Sequence, residues 1–129
     1  MLNLSHKKLE VYKISFLLMR EIYNLTNFFP NDERYGLVSQ LRRAAISVCC
    51  NIAEGAARLS SKEKKRFYEI ARASVVEIDT QIEIALQLNY LSAQEIMDFE
   101  KNEESAFRML SKMIANLTPE RNDSDSSTI

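Results

Sequence analysis

Hydrophobic residues recur with a helical period in four successive segments of this chain. In the first segment, from Lys7 to Phe28, they form two adjacent stripes. One stripe consists of Leu9, Tyr12, Phe16, Met19 and Tyr23, and the other of Val11, Ile14, Leu18, Ile22 and Leu25. A single stripe is enough for a helix to face one core. Two stripes predict a first helix that is also covered by another subunit.

The second predicted helix runs from Glu33 to Arg58 and follows a break at Pro30, because the residue before a proline disfavours helix. Its core positions follow heptad-like steps at Val38, Leu41, Ala45, Val48, Ile52 and Leu59. Beside them lies a row of small or polar residues: Ala44, Ser47, Asn51 and Gly55. A glycine inside a helix costs about 1 kcal/mol relative to alanine. We therefore expect a neighbouring backbone to approach closely at Gly55.

Two capping boxes predict where the remaining helices begin. The motif Ser60-x-x-Glu63 opens a third helix that ends near Tyr90, and Ser92-x-x-Glu95 opens a fourth that Pro119 ends. The third helix presents Phe67, Ala71, Ser74, Ile78, Ile82 and Ala85 to the core. The fourth presents Ile96, Phe99, Glu103, Ala106, Leu110, Met113 and Leu117, so one carboxylate interrupts its apolar face.

Short connections make successive helices antiparallel, so residues 1–118 are predicted to form an all-α, up-down-up-down four-helix bundle. The chain contains only two glycines and two prolines, which agrees with long, uninterrupted helices. Residues 119–129, which are rich in serine and acidic residues, are predicted to form a disordered tail.

The net charge of −1 conceals a strong asymmetry. Residues 1–76 hold 13 lysines and arginines against 7 carboxylates, whereas residues 77–129 hold 4 against 11. This division favours either an anionic partner for the basic part or a head-to-tail contact between subunits. No segment approaches the roughly 20 apolar residues of a membrane span, and the first ten residues do not resemble a secretion signal. We expect a cytoplasmic protein with no membrane partner.

The side chains that could support catalysis or metal binding are few. His6 is the only histidine, and the adjacent Cys49 and Cys50 make no metal-ligand pattern with it, so neither a metal nor another cofactor is predicted. The chain has too few glycines for a phosphate-binding loop, and no Glu-x-x-His motif for a di-iron site. Without a nucleophile, base or metal set, an enzyme is not predicted.

Several polar residues on the helices are interpreted as structural. Asn51 is expected to hydrogen-bond a neighbouring helix. Three carboxylates that could face inward, Glu54, Glu77 and Glu103, are expected to pair with Arg42, Arg43 or Arg72. Gly55 belongs to the same structural set because it permits the close helix crossing.

The basic segment from Arg58 to Arg72 is the candidate functional surface. It holds six positive residues against only Glu63 and Glu69, and Tyr68 lies close enough in sequence to stack on a base. Such a cluster can contact nucleic-acid phosphates. The alternative is a solvated helix face whose lysines only keep the protein soluble.

Two motifs resemble those of a known bacterial family. The first is Phe29-Pro30-x-x-Glu33-x-Tyr35-Gly36-Leu37-x-x-Gln40-Leu41-Arg42-Arg43-Ala44-Ala45-x-Ser47, continued by Asn51-Ile52-Ala53-Glu54-Gly55; the second includes Phe67, Ala71-Arg72-Ala73-Ser74 and Glu77. They resemble the four-helix-bundle proteins first noticed as reading frames within intervening sequences of large-subunit ribosomal RNA genes. The similarity covers about residues 5–117. Ala57 and Ala73 depart from it, since the family often has glycine there, and the closest backbone contacts are expected to loosen.

The resemblance implies a homopentameric ring. It also implies a relationship to a sister group, the accessory variability determinant of diversity-generating retroelements, which binds nucleic acid and a reverse transcriptase through a basic surface. RNA or DNA, and by the same analogy a reverse transcriptase, are the implied partners. Carried over by position, that surface would consist of Arg42, Arg43, Arg58, Lys62, Lys65 and Arg66. The alternative is a protein-protein interaction scaffold in which the acidic fourth helix and tail meet a basic partner.

Overall fold

Four α-helices make up the computed structural model, which describes residues 1–117 and contains no strand among them. The helices are α1 (Glu10–Thr26), α2 (Leu37–Ala57), α3 (Ser61–Gln87) and α4 (Met97–Asn116), with short 3₁₀ turns at Ser5–Lys8 and Asn31–Glu33. Both α1 and α3 pack against α2 and α4. This arrangement is consistent with the predicted four-helix bundle. The tail predicted at 119–129 lies outside the described residues.

The first two helices begin later than the sequence predicts. α1 starts at Glu10 instead of Lys7 because Leu9 has extended backbone angles, φ −67° and ψ 135°, which separate the preceding 3₁₀ turn from the helix. α2 starts at Leu37 instead of Glu33 because Gly36 has non-helical angles of φ −112° and ψ −107°. Tyr35 therefore lies in a turn and not in a helix.

Ser60 is confirmed as the N-cap of α3, whereas the prediction that Ser92 and Glu95 open α4 is wrong, because the N-cap of α4 is Ile96 and makes no side-chain cap hydrogen bond. Ser60 Oγ accepts a hydrogen bond from the backbone nitrogen of Glu63 at 3.1 Å. Ser92 and Glu95 cap each other, with side chain to backbone distances of 3.3 and 2.8 Å, although α4 itself begins only at Met97. α3 ends because Asn89 adopts the left-handed conformation, with φ 63°, that terminates many helices.

The core contains most of the predicted apolar positions. On α1 the stripe that includes Val11, Leu18 and Ile22 is buried, whereas the other stripe is half-buried. The predicted core positions on α2 are buried except for Leu59, which is 98% exposed because the helix has already ended at Ala57. Buried side chains of the three other helices pack with those of α2 in one hydrophobic cluster.

Candidate nucleic-acid interface

The structure divides the six predicted nucleic-acid-binding residues into two groups near opposite ends of α2. Arg42 and Arg43 lie in its second turn, and Arg58 follows its last residue. Arg42 and Arg58 are 16 positions apart, which at 1.5 Å per helical residue is about 24 Å. We call the group after α2 the junction surface; it consists of Arg58, Lys62, Lys65 and Arg66. Arg42 and Arg43 instead line a separate cleft.

The junction surface is held by a tight connection between α2 and α3. Arg58 has extended backbone angles, φ −76° and ψ 154°, and Ser60 caps α3 two residues later. Lys64 Nζ donates to the backbone carbonyl oxygens of Ala56 at 3.0 Å and Gly55 at 3.4 Å. The lysine thereby satisfies carbonyl groups at the end of α2 that have no partner within the helix. Lys64 is consequently a structural residue of the junction.

Arg58 is the anchor of the junction surface. Its guanidinium group is 2.7 Å from Glu54 Oε2 and 3.9 Å from Glu63 Oε1, and it lies over the Phe67 ring at 4.7 Å from the centroid. Two carboxylates therefore already compensate its charge. The guanidinium of Arg66 lies 5.2 Å from the same ring centroid. The less compensated charges of this surface belong to Lys62, Lys65 and Arg66.

Tyr68 does not contribute to the junction surface. The sequence places it among basic residues, but its side chain is only 5% exposed and its ring packs against Gly55. Burial raises the pKa of its phenol because the charged form loses solvation. The expectation that Tyr68 stacks on a base is therefore wrong.

The second group lies in a cleft of about 540 Å³ between the end of α1, the connection and the start of α2. We call it the arginine cleft. It is lined by Tyr23, Thr26, Asn27, Phe29, Pro30, Asn31, Arg34, Tyr35, Val38, Ser39, Arg42, Arg43 and Ile46. The lining contains three arginines and no carboxylate. Arg34 and Tyr35 belong to it because the connection folds across the end of α1, which no periodic pattern in the sequence indicates.

Arg42 is fixed in this cleft by groups on α1. Its Nε donates to Thr26 Oγ1 at 2.9 Å, and its Nη2 donates to the Tyr23 carbonyl oxygen at 3.3 Å and to Asn27 Oδ1 at 3.1 Å. The guanidinium also lies 4.4 Å from the centroid of the Tyr23 ring. These contacts join α1 to α2 and restrict the arginine to one orientation.

The row of small residues on α2 faces α3. At Gly55, a Cβ atom would lie 2.6 Å from a ring carbon of Tyr68, which is closer than real side chains approach. The three nearest atoms all belong to side chains, so the expected close approach of a neighbouring backbone is wrong. Ser47 Oγ and Ser74 Oγ are 3.0 Å apart and link the two helices. Asn51 Nδ2 instead bonds Ser47 within α2, so the predicted hydrogen bond from Asn51 to another helix is wrong.

Among the described residues, the three carboxylates do not form the predicted ion pairs with Arg42, Arg43 or Arg72, although Glu54 does pair with an arginine near the crossing at Gly55. Glu54 pairs with Arg58, and Glu77 Oε2 accepts a hydrogen bond from Gln81 at 3.4 Å. Arg72 Nη1 donates to Ser111 Oγ at 3.2 Å. Glu103 has another carboxylate, Asp79, as its neighbour. An amide therefore satisfies Glu77 and a hydroxyl group satisfies Arg72, whereas only Glu54 has an arginine as its partner.

Glu103 lies in an acidic groove between α3 and α4. Its pKa is raised to about 8, first by burial, then by Asp79 through charge and a hydrogen bond, and then by the charge of Glu100. Its Oε2 is buried without a hydrogen-bond partner within residues 1–117. The groove is also lined by the exposed Glu104. Glu103 is thus a carboxyl group that the fold favours in its neutral form.

Substituting Glu103 by glutamine is expected to remove a pH dependence of stability. The folded-state pKa of about 8 exceeds the ordinary value of 4.5, so the native protein binds more protons between these pH values. The free energy of unfolding of the wild type should therefore fall as the pH rises through this range. Thermal unfolding at several pH values measures this pH dependence.

The Glu103→Gln variant should lose part of this fall in the free energy of unfolding. At alkaline pH it should be more stable than the wild type, whereas Glu104→Gln, at the exposed neighbouring residue, should follow the wild type. Equal profiles for Glu103→Gln and the wild type would contradict this assignment.

Neither a metal cluster nor a membrane span is present in the part of the chain that the structure describes. Residues 1–117 contain no group of three or more histidine, cysteine or acidic side chains placed to hold a metal ion. None of the four helices is both long and apolar enough to cross a membrane. Cys49 is buried and Cys50 is exposed, and both thiols are free.

Comparison with known proteins gives a family and a fold. The family model described as "23S rRNA-intervening sequence protein" matches residues 7–112. A crystal structure from Bacteroides thetaiotaomicron, described as a protein of unknown function from the S23 ribosomal protein family, is similar with a TM-score of 0.74. It is 20% identical and covers 81% of this chain and 95% of its own. No curated protein matches the chain.

Proposed function

We propose, from the premise that this chain belongs to the 23S rRNA-intervening sequence protein family, that it is a non-catalytic protein that binds nucleic acid. The observation that carries this proposal is the junction surface. There Lys62, Lys65 and Arg66 project from the first two turns of α3 without an ion pair to a carboxylate among the described residues. We further propose that it acts in the cytoplasm, where its thiols Cys49 and Cys50 would stay reduced.

The geometry of α3 favours phosphate contact at this surface. Positions 62, 65 and 66 follow the spacing that places side chains on one helix face. The beginning of a helix also carries a partial positive charge, here at the start of a helix of 27 residues. Glu63, the acidic residue of this first turn, lies near Arg58. The net field on the outer face is therefore positive, as phosphate binding requires.

The antiparallel course of the helices is part of the proposal. Contacts between α2 and α3 run in opposite sequence order: Gln40 with Gln81, Ser47 with Ser74 and Gly55 with Tyr68. The connection between them holds only Arg58 to Ser60. These features support an up-down-up-down bundle.

We propose that several copies assemble into a ring, a pentamer by the family resemblance. Apolar side chains remain on the outside of the bundle: Leu17, Ile46, Ile70, Val76, Ile84 and Phe107 are each between 37% and 49% exposed. The stripe of α1 that consists of Leu9, Tyr12, Phe16, Met19 and Tyr23 is only half-buried. Burial of this surface between subunits would stabilise an oligomer. A ring would also repeat the junction surface and strengthen its potential.

Mass measurement in solution tests the assembly. Five copies of the 14.9 kDa chain give about 75 kDa. We expect light scattering coupled to gel filtration to show one species at a multiple of the chain mass, with the pentamer as the expected multiple. A monomer at all concentrations up to the highest soluble one would contradict both the ring and the interpretation of the exposed apolar residues.

Binding of RNA and of single-stranded DNA at two salt concentrations tests the function. Phosphate contacts release counterions, so affinity should fall steeply as the salt concentration rises. Fluorescence anisotropy with labelled oligonucleotides of mixed sequence measures it. No binding at low salt, or an affinity that salt does not change, would exclude the proposed function.

A second candidate function, a protein-protein scaffold, is favoured by the acidic groove. Asp79, Glu100 and Glu104 line adjoining cavities between α3 and α4. Such a surface suits a basic protein partner. If the scaffold is the function, substitution of Lys65 and Arg66 by glutamate should leave capture of that partner intact. Loss of capture in this variant would count against the scaffold.

A further inference from the structure

We propose that the arginine cleft is a binding site for a nucleoside phosphate, in which the arginines hold the phosphate group and Tyr35 stacks on the base. The cleft lies near the opposite end of α2 from the junction surface. Its proposed ligand therefore does not depend on nucleic-acid binding at that surface. The volume of about 540 Å³ falls within the range of pockets that hold small ligands.

The charged side chains that line the cleft are all positive. Arg34, Arg42 and Arg43 line it, and no carboxylate does. Glu33 lies in the connection before α2. It accepts hydrogen bonds from the Leu37 backbone nitrogen at 3.2 Å and from the Tyr90 hydroxyl at 2.8 Å. Its carboxylate is thus engaged away from the arginines. Three guanidinium groups around one concave surface favour a doubly charged phosphate ester over a singly charged carboxylate.

One of the three arginines is already ordered. Hydrogen bonds from Nε and Nη2 of Arg42, together with the Tyr23 ring, fix its guanidinium group on the cleft wall. A ligand that binds Arg42 therefore meets a hydrogen-bond donor whose orientation is already fixed before binding. Arg34 and Arg43 are exposed, so they can close on a phosphate from either side. The cleft therefore combines one fixed cation with two adjustable ones.

An aromatic ring at the rim of the cleft is the reason that the proposed ligand is a nucleoside phosphate and not phosphate alone. Tyr35 is 89% exposed, although it lines the cleft. The face of the other tyrosine of the cleft, Tyr23, is covered by Arg42. Tyr35 is consequently the ring that can stack on a planar base. Ser39 and Asn31 add hydrogen-bonding groups to the same lining.

Calorimetric titration with adenosine monophosphate tests the proposal, together with a short oligonucleotide carrying either a 5′-phosphate or a 5′-hydroxyl. The Arg34→Gln, Arg43→Gln double variant should bind the phosphorylated ligands about tenfold or more weakly. Both arginines are exposed, so the fold should be retained. A matched control, Arg108→Gln with Lys112→Gln on the exposed face of α4, should bind as the wild type does.

Three further comparisons test the contribution of the base, the source of the ligand and the independence of the cleft from the junction surface. Tyr35→Ala should weaken binding of adenosine monophosphate but not of inorganic phosphate. Binding of the free nucleotide would identify it as the ligand, and binding of only the 5′-phosphorylated strand would identify a nucleic-acid end. The Lys65→Glu, Arg66→Glu variant should retain this binding, which separates the cleft from the junction surface. Undetectable binding of all phosphorylated ligands, or equal affinities of the cleft variant and the α4 control, would overturn the proposal.

Discussion

Replacing Gly55 by leucine is expected to destabilise the protein by about 3 kcal/mol, the upper end of the usual cost of overpacking a core. A Cβ atom at this position would lie 2.6 and 2.8 Å from two ring carbons of Tyr68 and 3.3 Å from Phe67 Cβ. The Tyr68 ring is buried, so it has little room to move. Leucine favours helix by about 1 kcal/mol over glycine, which offsets only part of the clash. Thermal unfolding should show a midpoint lower by on the order of 10 °C.

A double variant distinguishes this clash from a general effect on the helix. If Gly55→Leu acts through the Tyr68 ring, adding Tyr68→Leu should cost less than the sum of the two single substitutions. Gly36→Ala provides the glycine control, because its added Cβ would closely meet only one atom, Glu33 Oε1 at 3.1 Å, a contact that a shift of a few tenths of an ångström relieves. It should change the midpoint only slightly. Wild-type stability of Gly55→Leu would show that α2 and α3 do not cross closely at this point.

Short-range sequence rules predict the junction between α2 and α3. The Ser60-x-x-Glu63 motif locates the start of α3, and the row of small residues indicates the close crossing at Gly55. The cap depends on residues within one helical turn, so the local sequence contains it fully, whereas the contact at Gly55 is made by Tyr68 on the next helix. The later starts of α1 and α2 depend on single backbone conformations at Leu9 and Gly36, which the hydrophobic period does not encode.

The partners of the polar side chains cannot be predicted in the same way. The sequence suggests a carboxylate partner for Arg42, but Thr26 and the Tyr23 carbonyl lie closer once α1 and α2 are packed. These groups are 16 and 19 positions away in sequence. The composition of the arginine cleft also depends on how the connection folds, so the sequence pattern does not reveal the place of Arg34 and Tyr35 in it.

The incorrect expectation for Tyr68 has a contrary signal in the sequence. Tyr68 precedes Ala71, Val75 and Ile78 at helical spacing, and this pattern marks it as a core residue despite its basic neighbours. The separation of Arg42 from Arg58 within one chain, about 24 Å, also follows from their positions along one helix.

Reversing two charges of the junction surface should reduce the salt dependence of nucleic-acid binding. Lys65 and Arg66 lie in the second turn of α3, and no carboxylate among the described residues forms an ion pair with either. Each phosphate contact on a single strand contributes about 0.7 to the slope of log affinity against log salt concentration. The Lys65→Glu, Arg66→Glu variant should therefore have a slope smaller by about 1.4 or more, and a lower affinity at every salt concentration.

The matched control is Arg108→Glu with Lys112→Glu, which changes the net charge equally on the exposed face of α4. Because the long-range charge of the two variants is the same, only local phosphate contact distinguishes them. Thermal unfolding of both variants should confirm that neither substitution disturbs the helices.

The salt dependence of RNA affinity, measured side by side for the wild type, the junction variant and the α4 control, tests the proposed function most directly. We expect a steep slope for the wild type and the control, and a slope reduced by about 1.4 or more for the Lys65→Glu, Arg66→Glu variant. Identical slopes for all three proteins would contradict the assignment of phosphate binding to the junction surface.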